Sequence, residues 1–219
     1  MMVRVNPTPP GNSVPGERPF ELSGGRLCLD FVNTVDDRPT PERVELIPDM
    51  TALLVWAEQA GAVDRRAASA QRRALRRSPP RAARAHARAI ALREGLFDVF
   101  AAAARREPVP GRVLDVLNAW LPRVAARRRL GPSQHSAATW RWIFEPGDFD
   151  YVAAQAAHSA AELLASPEIA HVKLCGEGRC DWLFLDESRN HSRRWCDMAT
   201  CGNRAKARRH YQRVRGRTA

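Results

Sequence analysis

Cys175-Gly176-Glu177-Gly178-Arg179-Cys180 and, after a gap of fifteen residues, Cys196-Asp197-Met198-Ala199-Thr200-Cys201 decide how the end of this chain folds. Each stretch is a C-x4-C pair. Zinc takes four soft donors at tetrahedral corners, and a close pair on a turn supplies two of them without long-range chain ordering. Gly176 and Gly178 let the backbone of the first pair curl around an ion and aim its amides at the sulfurs. The spacing favours one zinc ion on Cys175, Cys180, Cys196 and Cys201 over four free thiols or two disulfides, because so short a segment lacks a core of its own. With protein at all four corners no position is left for water, so the ion is expected to be structural rather than catalytic. The fifth cysteine, Cys28, stands in an apolar stretch and reads as a small buried hydrophobe.

Working outward from the pairs, Ile169 to Leu174 and Asp181 to Asp186 read as two strands around the first pair, a knuckle hairpin. Beyond Cys201 come Arg204, Lys206, Arg208, Arg209, Arg213, Arg215 and Arg217 with no acid among them. The spacing predicts a polar helix whose narrow apolar stripe, Ala207, Tyr211 and Val214, docks on the knuckle while its flanks stay cationic. Phosphate backbone is the partner such a surface fits. Arg193, Arg204, Lys206, Arg208, Arg209, Arg213 and Arg215 are the expected nucleic-acid contacts. Arg179, Arg193, Arg194 and Arg204 could equally offset the net negative charge of a zinc tetrathiolate, and a solvated tail is the bland reading of the basic run.

Upstream the pattern is helical. Met50, Leu53, Leu54 and Ala57 recur at helical spacing before Gly61, a second helix is expected over 64–76, and Ser78-Pro79 opens a long helix striped by Ala85, Ala89, Leu92, Leu96, Val99 and Ala103. A further helix from about residue 112 should kink or end at Pro122. Trp140, Trp142 and Phe144 alternate with polar residues as a short half-buried strand, and Asp148 should cap a helix bearing Val152, Ala156 and Leu163. Leu27 to Val32 is apolar throughout, and strand or short helix is undecided there. Asp30, Asn33 and Thr34 are its polar groups, candidates for contact with a small molecule, with capping or backbone satisfaction as the alternative.

The chain has 219 residues and a formal net charge of +11, and all but two of its 35 cations are arginine. From residue 171 onward there are 12 basic and 5 acidic residues, so the excess is concentrated at the finger. No apolar run reaches membrane-spanning length, and residues 1–20, rich in Pro and Gly, read as a loose leader without a secretory core. A reducing, cytoplasmic setting is expected, in which clustered cysteines bind metal. The six histidines show no ligand or triad spacing and no glycine-rich phosphate loop is present, so an enzyme is the least favoured class.

Cys201-Gly202-Asn203-Arg204, with the three cysteines before it, resembles the CGNR zinc finger. Leu27-Cys28-Leu29-Asp30-Phe31-Val32-Asn33-Thr34 and the helices after it are similar to the ABATE domain that commonly precedes that finger. The resemblance implies a stress-induced bacterial transcriptional regulator with a DNA-binding finger and a ligand-sensing helical domain, and carries the zinc ligands onto the same four cysteines. The fold expected is a mainly α N-terminal domain with a few short strands over residues 21–166. A small treble-clef-like zinc finger of β-hairpin knuckle and helix follows over residues 169–219. The partners expected are double-stranded DNA, a small-molecule effector and a second copy in a homodimer, with no membrane. An RNA-binding or polymerase-associated interaction module, stacking bases on Trp182, Phe184 and Trp195, is the alternative.

Overall fold

The computed structural model describes residues 20–109, 111–134 and 136–215. All of the expected leader except Phe20 lies outside them, as do His135 and Arg217. The undecided apolar stretch is helix α1 (Leu27–Val32). Cys28, Leu29, Phe31 and Val32 are all buried. A six-residue helix with four residues buried is too short and too apolar to show an amphipathic period, so its sequence could not be told from a buried strand. Its tight entry requires glycine: a Cβ on Gly24 would lie 2.8 Å from Leu29 Cβ.

A two-residue ribbon follows, β1 (Val35–Asp36) antiparallel to β2 (Val44–Glu45). Then come α2 (Met50–Gln59), capped by the Asp49 side chain, and α3 (Arg65–Arg77), capped by Asp64. Helix α4 (Pro79–Arg105) starts on proline, which fits a first turn, and its 27 residues span about 40 Å. Helices α5 (Gly111–Asn118) and α6 (Leu121–Ala126) are separate because Pro122 sits in the first turn of the second. Strands β3 (Arg128–Gly131) and β4 (Thr139–Trp142) pair with Leu130 opposite Trp140, and α7 (Tyr151–Leu164) closes the body.

Two expectations are corrected here. The strand at Trp140 is mostly exposed, with Trp140 itself 58% open, because a lone two-stranded ribbon has only one covered face. Trp142 and Phe144 alone turn inward, edge-on to Tyr151 at 6.1 and 5.2 Å between ring centroids. Asp148 does not cap α7; it is held by Arg127 at 2.5 Å, and the helix begins at Tyr151.

The core lies between α1, α2, α4 and α7, with Leu29, Phe31, Trp56, Leu92, Leu96 and Leu163 at its centre. Ala153, Ala154, Ala156, Ala157 and Ala160 are all buried on α7, and their small size lets α1 approach closely. Burial pushes the Cys28 thiol up to about 12, which keeps it protonated and inert. One full charge is buried in the wall. The Arg93 side chain is fully enclosed and binds both Glu45 oxygens at 2.6 and 2.7 Å and Thr34 Oγ1 at 3.1 Å, clamping β2 onto α4.

A 3-10 turn, Pro167–His171, leads into β5 (Val172–Leu174), which pairs antiparallel with β6 (Leu183–Leu185). The first knuckle strand therefore starts three residues later than its apolar sequence suggests. Val172, Leu183 and Leu185 belong to the same core as the helical body. The hairpin is thus a wall of that body. Helix α8 (Asn203–Arg215) follows a single π turn at Met198–Gly202.

Candidate metal centre and nucleic-acid interface

The Sγ atoms of Cys175, Cys180, Cys196 and Cys201 all lie within 4.8 Å of one another, and all four residues are buried. Cys180 to Cys196 and Cys196 to Cys201 are each 3.6 Å, close to the sulfur–sulfur edge of about 3.8 Å that a tetrahedron with zinc–sulfur bonds of about 2.3 Å requires. A disulfide needs about 2.05 Å. Hydrogen bonding from Cys180 first, then from Cys196 and Cys201, pushes the Cys175 thiol down, while the same contact with Cys175 pushes Cys180 up. Four sulfurs crowded into one pocket cannot all carry charge unless a cation joins them, which is what a zinc ion supplies.

Local chain geometry builds this cage. The Cys175 N–H donates to Trp182 O at 2.8 Å across the hairpin, and the Gly176 N–H donates to Arg194 O at 2.9 Å, tying the two pairs together. A Cβ at Gly176 would press on that same Arg194 oxygen at 3.1 Å. Gly178 adopts φ +82°, the left-handed region that closes the knuckle. On the other side the Asp197 carboxylate accepts from the Thr200 N–H at 2.7 Å, fixing the turn that presents Cys201 just ahead of α8.

Around the cage, Trp182 and Phe184 are buried and pack with the cysteines, a miniature core rather than stacking surfaces. Asp186 is a buried hub between the knuckle strands and the second pair. It accepts from Lys173 Nζ at 2.6 Å, from Ser188 Oγ at 2.6 Å and from the Arg193 N–H at 2.9 Å. Burial works to raise its carboxyl, but Lys173 and Ser188 overturn that and hold it well below the usual range. Sequence reasoning missed this residue. The rings of His171 and His191 stack at 3.7 Å beside it, and His191 Nδ1 lies 2.7 Å from Asp186 O.

The expected nucleic-acid residues separate into two groups. Arg193 turns inward: its guanidinium lies 4.5 Å from the Phe184 ring centroid and donates to Trp195 O at 2.9 Å and to Cys196 O. Arg208 also turns back, onto Glu177 O at 2.9 Å and onto the Glu177 carboxylate, which is buried inside the knuckle. Arg204, Lys206, Arg209 and Arg213 are exposed. Among the described residues none of these four forms an ion pair within 4 Å. The backbone of Arg215 continues the helix, and its side chain lies outside the described residues.

The stripe expected to dock α8 does not do so. Tyr211 is 69% and Val214 48% exposed, because the knuckle is only as long as the first turns of the helix and the rest projects past it. Arg208 holds the helix instead.

Asp30, Asn33 and Thr34 have bonds within the fold. The Asn33 side chain donates to Leu183 O and accepts from Leu183 N–H, each at 2.8 Å, so it takes the place of a strand neighbour for β6. Thr34 Oγ1 donates to Phe31 O at 2.8 Å. The Asp30 carboxylate accepts from the Gly24 N–H at 2.8 Å, and burial pushes it up to about 6. Trp182 Nε1 donates to Val35 O and the Leu185 N–H to Gly24 O, both at 2.8 Å, completing the joint between body and hairpin.

Residues 25–167 match the ABATE family, described as "Putative stress-induced transcription regulator". The chain belongs to the ABATE family. Residues 171–214 match the CGNR zinc finger, so the four-cysteine cage has the donor set and the geometry to hold that finger's zinc ion. Neither description is of an enzyme family. No curated protein matches the chain. Among the described residues no helix is long and apolar enough to cross a membrane.

Proposed function

We propose that this ABATE protein is a cytoplasmic stress-responsive transcription regulator that grips double-stranded DNA through the outer face of α8. Residues 169–219 act as the finger, and residues 21–166 as a body that senses a small molecule and pairs with a second copy to double the DNA contact. The observation that carries this reading is the sorting of cations on α8. Arg208 is held by Glu177, while Arg204, Lys206, Arg209 and Arg213 face water and form no ion pair within 4 Å among the described residues. The zinc cage supplies the fixed mount. Arg193, Asn33 and Thr34 serve as positioning residues for that mount, and Asp30 holds the entry to α1. The buried state of Trp182 and Phe184 favours duplex over base-stacking partners.

Fluorescence anisotropy with duplex DNA and single-stranded RNA, across salt concentrations, tests it. Four phosphate contacts give a log-log salt slope of about −4 on duplex, and each of Lys206→Ala, Arg209→Ala and Arg213→Ala removes about one. Tighter binding to the RNA, or a slope those variants leave unchanged, would overturn it.

A further inference from the structure

Between Arg65 and Ala91 the chain carries nine arginines and no acid. Arg65 and Arg72 reach Glu58, and Arg88 reaches Asp150. The other six form no ion pair among the described residues. Three of them, Arg73, Arg77 and Arg81, line one cleft of about 350 Å³ where α3 turns into α4. Every charged side chain lining that cleft is an arginine, and its floor is the apolar surface of Ala70, Ala74 and Phe149.

The opposite wall is preformed. Gln71 is 2% exposed and braces the loop, accepting from the Gly147 N–H and donating to Asp148 O, each at 2.7 Å. Gly147 at φ +90° takes a conformation that other residues resist. The cleft continues past Arg81 into a second one of about 540 Å³, where Asp148 is held by Arg127 and Asp150 by Arg88. Their charges are already answered; Glu145, exposed on the lining of this second cleft, is the acid there without an ion pair among the described residues, and it does not line the cleft of Arg73, Arg77 and Arg81.

We propose that this cleft binds a small phosphorylated anion, of pyrophosphate to nucleotide size. The volume is that of a small-ligand site. Guanidinium forks match phosphate oxygens bidentately, and three forks around one cleft fit clustered phosphate charge better than a lone carboxylate. Helix α4 carries Arg81 at one end of its length and Arg93, clamped to Glu45, farther along toward the finger, so one rigid rod joins the cleft to the wall that supports the zinc site. The regulatory meaning of the cleft rests on the sensing role given to the body above. Its occupancy does not, and the experiment contains no nucleic acid, so the two can fail separately.

The test is isothermal titration of the zinc-loaded full chain with pyrophosphate, and in parallel with ATP, at about 0.15 M salt to suppress diffuse charge effects. Saturable one-to-one binding of pyrophosphate is expected, weakened about tenfold or more by Arg77→Ala and further by Arg77→Ala with Arg81→Ala. Arg66→Ala and Arg84→Ala, which remove equal charge outside the cleft, should leave it within about twofold. Absence of saturable binding of both anions, or an equal loss in the Arg66 and Arg84 variants, would overturn the proposal.

Discussion

The two halves of the finger are attached to the protein in opposite ways. The knuckle hairpin sinks Val172, Leu183 and Leu185 into the core of the helical body and is stitched to it by Asn33, Trp182 and the Leu185 amide. Helix α8 leaves that surface within a few turns and exposes Tyr211 and Val214. Its ties are the turn that holds Cys201 and the Arg208–Glu177 bond. Apolar burial secures the first half, whereas metal and charge secure the second. That difference explains how one small finger can be rigid toward its own body and still present an acid-free basic helix to solvent.

Zinc removal should separate the halves most sharply. Structural zinc in small fingers contributes on the order of 10 kcal/mol. Chelation, or Cys201→Ser, should abolish amide-exchange protection over residues 203–215 and nucleic-acid binding. Protection in α1, α4 and β6 should survive, because the core that takes in Leu183 and Leu185 holds no metal ligand. Hydrogen-exchange mass spectrometry reads this directly, and simultaneous loss in both regions would erase the distinction.

A smaller effect is expected at the stitch. Asn33→Ala leaves the buried N–H and C=O of Leu183 without partners, a cost of about 2–3 kcal/mol. It should appear as a lowered urea midpoint with zinc content unchanged.

Arg208→Ala acts on the tie between α8 and the knuckle. The Arg208 side chain is 45% exposed, which screens the pair, but the buried Glu177 carboxylate would lose its cation, so the loss should be about 1–2 kcal/mol. The expected result is faster exchange in α8 with the body unaffected. Nucleic-acid affinity should fall through a looser mount while the salt slope stays the same, unlike Arg209→Ala.

A pH dependence confined to the body is also expected. Burial pushes the Asp30 carboxyl up to about 6, partly offset by the Gly24 N–H, whereas the unfolded chain releases that proton near pH 4. The folded state thus keeps a proton between those values that the unfolded state has lost. Asp30 supports the fold fully below about pH 4 and loses that contribution as the pH rises through 6. Asp30→Asn should flatten this part of the curve. Comparing urea midpoints of the two proteins at each pH cancels any contribution from zinc release.

Helices α2 and α4 were legible because their apolar residues recur at helical spacing, with Gly61 closing the first and Ser78-Pro79 opening the second. The four zinc ligands were legible for a related reason, since each pair is set by local spacing. α1 was not, because six mostly buried residues are too few to show the periodicity that distinguishes helix from strand. The inward turns of Arg193 and Arg208 and the hub at Asp186 were also hidden. Their partners are backbone carbonyls and side chains whose positions depend on the assembled finger, and the residue type announces none of it.

The order of amino acids by itself therefore determined a helical body followed by a four-cysteine zinc site and an acid-free basic helix, because periodicity, caps and ligand spacing act within a few residues. Only the tertiary structure decided which arginines are struts and which face solvent. It also decided that the knuckle belongs to the body's core, because burial and ion pairing depend on what the rest of the chain brings alongside.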